Sequence, residues 1–290
     1  MASMREIKRR KSSIQSTAQI TKAMKLVSTV KFQKSKGRAQ DSKPYFDKMY
    51  QTVSSILAKS DNIIHPYLTA GASPKKAIIV ITSNRGLAGG YNNNIIKLVM
   101  DSGIVREDAV IYAVGRKGKD LLARRGYDIA EDFSDVMDGP IYRDAMDIGN
   151  TVLEAFKNQE IGELYLAYTS FKNTVTQIPK LIKLLPADTS AADEVLKSED
   201  DTKQSAPMNY EPEPEEVLDA LIPKYICSLI YGALMEAMAS ENGARMTAMD
   251  NATSNAEEMI DKLTLSYNRA RQGAITQEIT EIVSGSEALA

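Results

Sequence analysis

The sequence predicts an α/β protein in which the N- and C-terminal helices form a long antiparallel coiled coil and a central α/β domain carries a mainly parallel sheet. Three observations lead there. Residues 224–290 hold no proline, and Met249, Ala252, Ala256, Met259, Leu263, Tyr267, Ala270 and Ala274 recur at steps of three or four, the spacing of one helical stripe. Residues 3–58 repeat the helical pattern at the other end of the chain. Between them the period changes to short β-branched runs that alternate with helical segments.

The C-terminal run would make a helix roughly 100 Å long at about 1.5 Å per residue. A rod of that length cannot fold back into an ordinary globular core, so it calls for a partner helix. The N-terminal run supplies one. Ile20, Ala23, Met24, Val27 and Val30 mark an apolar stripe there, and Phe46, Met49, Tyr50, Val53, Ile56 and Leu57 continue it. Pro44 lacks an N–H and crowds the preceding turn, so a kink or local break is expected. Lys22, Lys25, Lys31, Lys34 and Lys36 fall largely off the stripe. They form either a solvated basic face or one presented to an acidic protein, and periodicity alone leaves both open.

Residues 59–76 are rich in turn formers (Asp61, Asn62, Pro66, Gly71, Ser73, Pro74) and mark a boundary. Ala77–Ile81 then reads as a strand buried on both faces. It ends in Thr82-Ser-Asn-Arg85-Gly-Leu-Ala-Gly-Gly90, and a helix is expected from Tyr91 to Asp101. Val110–Val114 is a second strand, followed by a helix through Leu121-Leu122, and Tyr127–Phe133 is a third strand. Ile141–Asn158 is helical and Glu163–Tyr168 is another strand, beside which Thr174–Leu185 can pair. The alternation makes this a Rossmann-like domain over residues 75–186.

Residues 187–211 form an acidic, polar loop. The stretch 187–216 carries ten acids against Lys197 and Lys203, and a mobile segment is expected. The C-terminal coiled-coil helix is assigned to 212–290, just as 1–58 is assigned to the N-terminal one. Pro214 with Glu215 and Glu216 suits a helix start, and Pro223 is expected to mark a kink or a second start. Alanines at 233, 237, 244, 248, 252 and 256 keep the helix thin. Gly243 and Gly273 each cost about 1 kcal/mol of helix stability relative to Ala, so each calls for support from outside the helix.

Composition excludes several chemistries. One cysteine, Cys227, and one histidine, His65, leave no internal disulfide, no Cys/His zinc site and no credible Ser–His–Asp arrangement. His65 precedes Pro66 and reads as structural. No apolar run approaches the roughly 18–20 residues that span a bilayer. The basic N-terminus lacks the apolar segment of a secretory signal. It would pass for an organellar transit peptide, except that its pattern runs straight into a helix.

The overall charge hides an asymmetry, since residues 1–43 hold twelve Lys/Arg against Glu6 and Asp41. Such an end suits nucleic acid, an anionic membrane surface or an acidic protein partner. Phe32 is the only aromatic in that stretch, so no base-stacking platform is present. The glycine-rich turn at 85–90 occupies the strand-to-helix position of a phosphate-binding loop, but it lacks both the Gly-Lys-Ser/Thr and the G-x-G-x-x-G spacing. It reads first as a tight turn and second as a nucleotide site.

Several segments resemble the gamma subunits of F-type ATP synthases. They are Ile20-Thr-Lys-Ala-Met-Lys-Leu-Val27, Ala239-Ser-Glu-Asn-Gly-Ala-Arg-Met-Thr-Ala-Met-Asp-Asn-Ala-Thr253 and, most specifically, Leu265-Ser-Tyr-Asn-Arg-Ala-Arg-Gln-Gly-Ala-Ile-Thr-Gln-Glu-Ile-Thr-Glu-Ile-Val283. Asn84–Gly90 and Tyr210–Pro214 also match, so the resemblance spans the whole chain. It implies a non-catalytic rotor shaft whose left-handed coil stands inside a ring of three alpha and three beta subunits. Its α/β domain would sit beside epsilon and rest on the membrane ring of c subunits. It implies ion-driven rotation, no catalytic residue, no cofactor, no metal and no nucleic-acid partner. The expected location is peripheral, on the cytoplasmic face of a bacterial plasma membrane. Arg245, Arg271, Gln272, Thr276 and Glu278 match positions that contact beta-subunit loops. Met24 matches a coil position facing an acidic beta segment, and Tyr210 a position near the c-ring or epsilon. Val27-Ser-Thr-Val30 is more β-branched than the family pattern, and 187–208 has the character of a variable insertion. The readings from other classes are a nucleotide-binding α/β enzyme and a basic coiled-coil protein that grips nucleic acid.

Overall fold

The computed structural model describes residues 4–58, 65–174, 176–187 and 214–287. The elements run α1 (Met4–Ala58), β1 (Lys76–Ile81), α2 (Tyr91–Met100), β2 (Ala109–Val114), α3 (Arg116–Ala123), β3 (Asp128–Asp132), a 3-10 turn (Ser134–Asp138), α4 (Tyr142–Lys157), β4 (Glu163–Phe171), β5 (Gln177–Leu185) and α5 (Pro214–Glu287). Pro44 and Pro223 both lie inside helices that continue past them. Most of the acidic stretch 187–211, and Tyr210 with it, lies outside the described residues. The chain divides into two compact units, Val30–Ala244 and Met1–Thr29 with Arg245–Ala290.

In the larger unit one five-stranded sheet has the order β3-β2-β1-β4-β5. β1 pairs in parallel with β2 and β4, β2 pairs in parallel with β3, and β5 returns antiparallel on β4. Both faces are covered, which is why the central strands are continuous apolar runs. Ile78, Val80, Ile111 and Ala113 meet α2 and α3 residues such as Ile95, Ile96 and Leu122. Ile79, Ile81, Tyr112, Val114 and Leu166 meet Ile148, Val152 and Phe156 of α4. The same core takes Leu218, Ile222, Ile226, Ile230 and Leu234 from α5.

That segment of α5 departs from expectation. By length and composition α5 holds a window apolar enough to cross a membrane, with mean hydropathy 1.5, and 44 % of that window is buried inside the protein. No such run was expected from the sequence. Its apolar side chains are spent on the sheet, since Ile222, Ile226, Ile230 and Leu234 are fully buried.

In the smaller unit α1 and α5 run antiparallel. Thr21 and Thr253 share a buried hydroxyl–hydroxyl hydrogen bond of 2.8 Å, and Lys25 Nζ lies 2.5 Å from Asp250 Oδ1. The less exposed positions of α1 are Met4, Ile7, Lys11, Ile14, Ala18, Thr21, Lys25 and Ser28, with Met24 and Thr29 beside them. Their steps alternate between three and four, the heptad spacing of a coiled coil that winds left-handed.

The expected apolar stripe is not this seam. Ile20, Val27 and Val30 are exposed, while Met24 is half-buried. On α5 the seam follows Met249, Thr253, Ala256, Ile260, Leu263, Tyr267 and Ala270. This is close to the expected stripe, although Met259 is exposed and Ile260 takes its place.

Candidate functional site

Two regions fit the sequence-predicted chemistry, one in each unit. In the larger unit it is the C-terminal edge of the parallel strands. The strand order reverses between β1 and β4, and a doubly wound sheet takes its ligand in the crevice beside such a switch point. The loop after β1 contains Leu87 and Gly89 in the left-handed region, with φ of 62° and 57°, and the Leu87 side chain is exposed.

The neighbouring helix start is already capped from within the chain. Arg116 N–H donates to Asn84 Oδ1 at 3.1 Å, Lys117 N–H to Ser83 O at 3.0 Å and Gly118 N–H to Thr82 Oγ1 at 2.8 Å. These first-turn donors are the groups that an anion would otherwise use. Asn84 also donates through Nδ2 to Ser134 O at 2.8 Å, tying the loop to the 3-10 turn after β3. Gly115 makes the close approach possible. Its φ is 111°, and a Cβ there would lie 2.2 Å from the Thr82 carbonyl oxygen.

The crevice itself holds α5. Tyr91 Oη donates to Ala237 O at 3.2 Å, Ser240 Oγ donates to Thr169 O at 3.1 Å, and Phe171 N–H donates to Glu236 Oε2 at 3.3 Å. Burial, and next the Glu236 charge, push the Tyr168 phenol up to about 12. Phe32 of α1 completes the junction, with its ring 5.3 Å from that of Phe171 and its edge 3.7 Å from where a Gly243 Cβ would be. The support that Gly243 was expected to require comes from Phe32.

The residues with unusual chemistry elsewhere are structural in setting. His65 is buried, accepts the Tyr67 N–H at Nδ1 (3.3 Å) and places Nε2 3.3 Å from Asp219 Oδ1. Cys227 is a buried free thiol, raised by desolvation. Glu163 receives Lys183 Nζ at 2.6 Å, Lys76 Nζ at 2.8 Å and Tyr165 Oη at 3.0 Å. Burial alone would raise its carboxyl, but the hydrogen bonds from Lys183, Lys76 and Tyr165 outweigh that and hold it down at about 2. Among the described residues no group of three or more His, Cys, Asp or Glu is arranged to hold a metal.

In the smaller unit the predicted contact residues fall into two groups. Met24 is half-buried one turn from Thr21, and Arg245 is 9 % exposed. Arg271, Gln272, Thr276 and Glu278 lie in a stretch, Arg271 to Ser286, in which every residue is exposed. At about 100° per residue these four fall within one arc of roughly 160°. The same arc carries Ile275, Ile279, Ile282 and Val283, all large, apolar and about half exposed or more. Sequence reasoning named the polar members of this face and missed the apolar ones. Their i, i+4, i+7 spacing was the available signal.

Comparison with known proteins agrees along the full length. The family model described as ATP synthase matches residues 3–289. The ATP synthase gamma chain of Lachnoclostridium phytofermentans is 69 % identical over 290 residues, covering all of both chains. The sodium-ion-specific ATP synthase gamma chain of Acetobacterium woodii is 44 % identical, covering 99 % of this chain and 98 % of that one. Among solved structures, the central stalk/c-ring of the Tetrahymena thermophila mitochondrial ATP synthase contains a chain with a TM-score of 0.59 and 26 % identity, covering 80 % of this chain and 99 % of that one. A chain of the Euglena gracilis mitochondrial ATP synthase shares the fold at a TM-score of 0.70 and 18 % identity, over 99 % of this chain and 94 % of that one. With the family model spanning nearly every residue and a relative at this identity over its whole length, the chain belongs to the gamma-chain family of ATP synthases.

Proposed function

We propose that this gamma chain is the central rotor shaft of a rotary F-type ATP synthase. It couples ion-driven rotation of the membrane c-ring to conformational change in the catalytic beta subunits and performs no bond-making chemistry itself. The observation that carries the reading is the exposed face of α5 from Arg271 to Ser286. A helical end without tertiary packing is marginal in water, and a contiguous apolar face marks an interaction surface. Gly273 points the same way. A Cβ there would meet nothing within 4 Å, so no contact among the described residues calls for a glycine, and in this reading a partner's does.

In this reading Met24, Arg245, Arg271, Gln272, Thr276 and Glu278 contact beta-subunit loops, and the exposed lysines of α1 meet acidic beta segments. Exposed, screened pairs of about 0–1 kcal/mol each suit a shaft that must not stick at one angle. Such a shaft drives the ring because it interacts differently with different beta conformations. Residues 1–58 and 212–290 are the coil, 75–186 the α/β domain and 187–211 a connecting loop. Tyr210, in that loop, is assigned to the neighbourhood of the c-ring or epsilon. The complex places the chain peripherally on the cytoplasmic face of the bacterial plasma membrane. The c-ring in the Tetrahymena stalk structure and the gamma-chain relatives support this assignment.

The nucleotide-enzyme reading is disfavoured by the helix lying in the switch-point crevice and by the missing Gly-Lys-Ser/Thr and G-x-G-x-x-G spacing of the 85–90 loop. The nucleic-acid reading predicts steeply salt-dependent DNA affinity. The deciding experiment is co-expression with alpha and beta subunits. A stable complex is expected, with ATPase activity that falls on deleting residues 262–290. No co-purification, or turnover unchanged by the deletion, overturns the reading.

A further inference from the structure

β4 outruns its neighbour. The last β1–β4 pair is Val80 with Ala167, yet β4 continues to Phe171. On the other side Thr169 stands opposite Pro179 of β5, which has no N–H to give. β4 stays paired with β5 out to Phe171 and Gln177, but with no β1 residue beside them the Thr169 carbonyl and the Phe171 N–H take partners from elsewhere. α5 supplies them through Ser240, whose hydroxyl donates to Thr169 O, and Glu236, whose carboxylate accepts the Phe171 N–H. One turn of the same helix also accepts the Tyr91 hydroxyl at Ala237 O. Ser240 is fully buried and Tyr91 nearly so.

Among the described residues α5 also meets the core beneath the sheet through apolar side chains, among them Ile222, Ile226, Ile230 and Leu234. Apolar burial is itself non-directional and restrains the helix's rotation only through the steric fit of its side chains, as where Cys227 Sγ lies against Gly149. Hydrogen bonds weaken steeply away from their preferred angles. Bonds reaching from α5 to β4 and received by it from α2 resist that rotation.

We propose that Tyr91, Glu236 and Ser240 form a polar key that sets the angle of α5 on the α/β domain and makes them torque-transmitting positioning residues. The proposal rests on the rotor reading, in which torque entering through the α/β domain leaves it through the two helices of the coil, α1 and α5, and α5 is the one that these bonds tie to β4. Deepening that reading, it assigns the transfer to directional bonds at the β4 overhang and leaves apolar packing to provide cohesion.

The test uses the full rotary complex, immobilised through its beta subunits and stalled, with a bead attached to the α/β domain. The variance of the bead's angle reports rotor stiffness. Replacing Tyr91→Phe, Glu236→Ala and Ser240→Ala together is expected to raise that variance roughly twofold or more, because directional restraints are lost. Glu236→Gln keeps an acceptor for the Phe171 N–H and is expected to leave it near the starting value. Ile226→Val thins the packing of the same helix without removing a hydrogen bond. It is expected to lower the melting temperature and leave the variance unchanged. If the triple variant does not assemble, Tyr91→Phe alone, which removes one oxygen, is read in its place and should give an intermediate rise. A triple variant (or Tyr91→Phe read in its place) with unchanged variance, or an Ile226→Val variant as loose as it, overturns the proposal. An unmodified complex in which the bead never rotates on adding ATP overturns the rotor reading beneath it.

Discussion

At the residue scale the informative side chains are those whose surroundings oppose their ordinary behaviour. Glu163 sits at the start of β4 between Lys76 and Lys183, and its carboxyl is held at about 2, below its ordinary 4.5. The folded value lies below the unfolded one, so its stabilisation is fully present above about pH 4.5 and is lost as pH falls towards 2. Glu163→Gln should therefore lower stability at pH 7 by about 1–3 kcal/mol, since two lysines lose their counter-charge at a partly solvated site. Chemical denaturation at several pH values should show the gap between the two proteins closing as pH falls from about 4.5 towards 2. Gly149 of α4 makes a different point. A Cβ at this position would lie 2.6 Å from Cys227 Sγ of α5. Gly149→Ala should cost about 1–3 kcal/mol by overpacking, although alanine favours a helix interior by about 1 kcal/mol. Adding Cys227→Ala should return most of the loss, which thermal unfolding of the single and double variants will measure.

At the element scale the coil is held by a seam that is polar in its middle. One of the Thr21 and Thr253 hydroxyls donates to the other, and the accepting one is left to donate to its own helix, at Ala18 O or Met249 O. Removing one hydroxyl strips the other of a buried partner. Thr21→Val should cost about 0.5–1.5 kcal/mol, and Thr21→Val with Thr253→Val should cost less than the two single changes summed. A double-mutant cycle with no coupling would show that the pair does not help to fix the register. This seam also explains where the sequence misled. Ile20, Val27 and Val30 look like a core stripe by hydrophobicity, yet they are exposed while Thr21 and Ser28 are buried. Size does not separate them, since Ile7 and Ile14 share the seam with Thr21 and Ser28. The seam follows alternate steps of three and four along α1, and Ile20, Val27 and Val30 fall off that register.

At the scale of the whole molecule the chain contains surface that it does not itself cover. The face with Ile275, Ile279 and Ile282 is the largest instance on α5. In the isolated chain the amides of Arg271 to Ser286 should exchange within the fast regime of fraying helix ends. In the assembled complex they should become protected by about tenfold or more. Hydrogen exchange followed by mass spectrometry will check this, and equal exchange in both states would count against a socket for this end.

What the sequence determined alone is considerable. The 3.5-residue spacing of the C-terminal run, the β-branched runs of β1 and β2 and the turn formers between them specify both long helices and the parallel sheet, because each is a local pattern read at its own period. The resemblance carried by residues 239–253 and 265–283 identified the family. Tertiary structure decided the rest. It turned the apolar stripe of α1 outward and set Thr21 and Ser28 in the seam. It spent the most apolar segment of α5 on the sheet, and capped α3 with Thr82, Ser83 and Asn84. It brought Tyr91, Thr169, Phe171 and α5 together at the β4 overhang. Each of these joins residues far apart in the chain, and local periodicity holds no information about which distant surface will meet which.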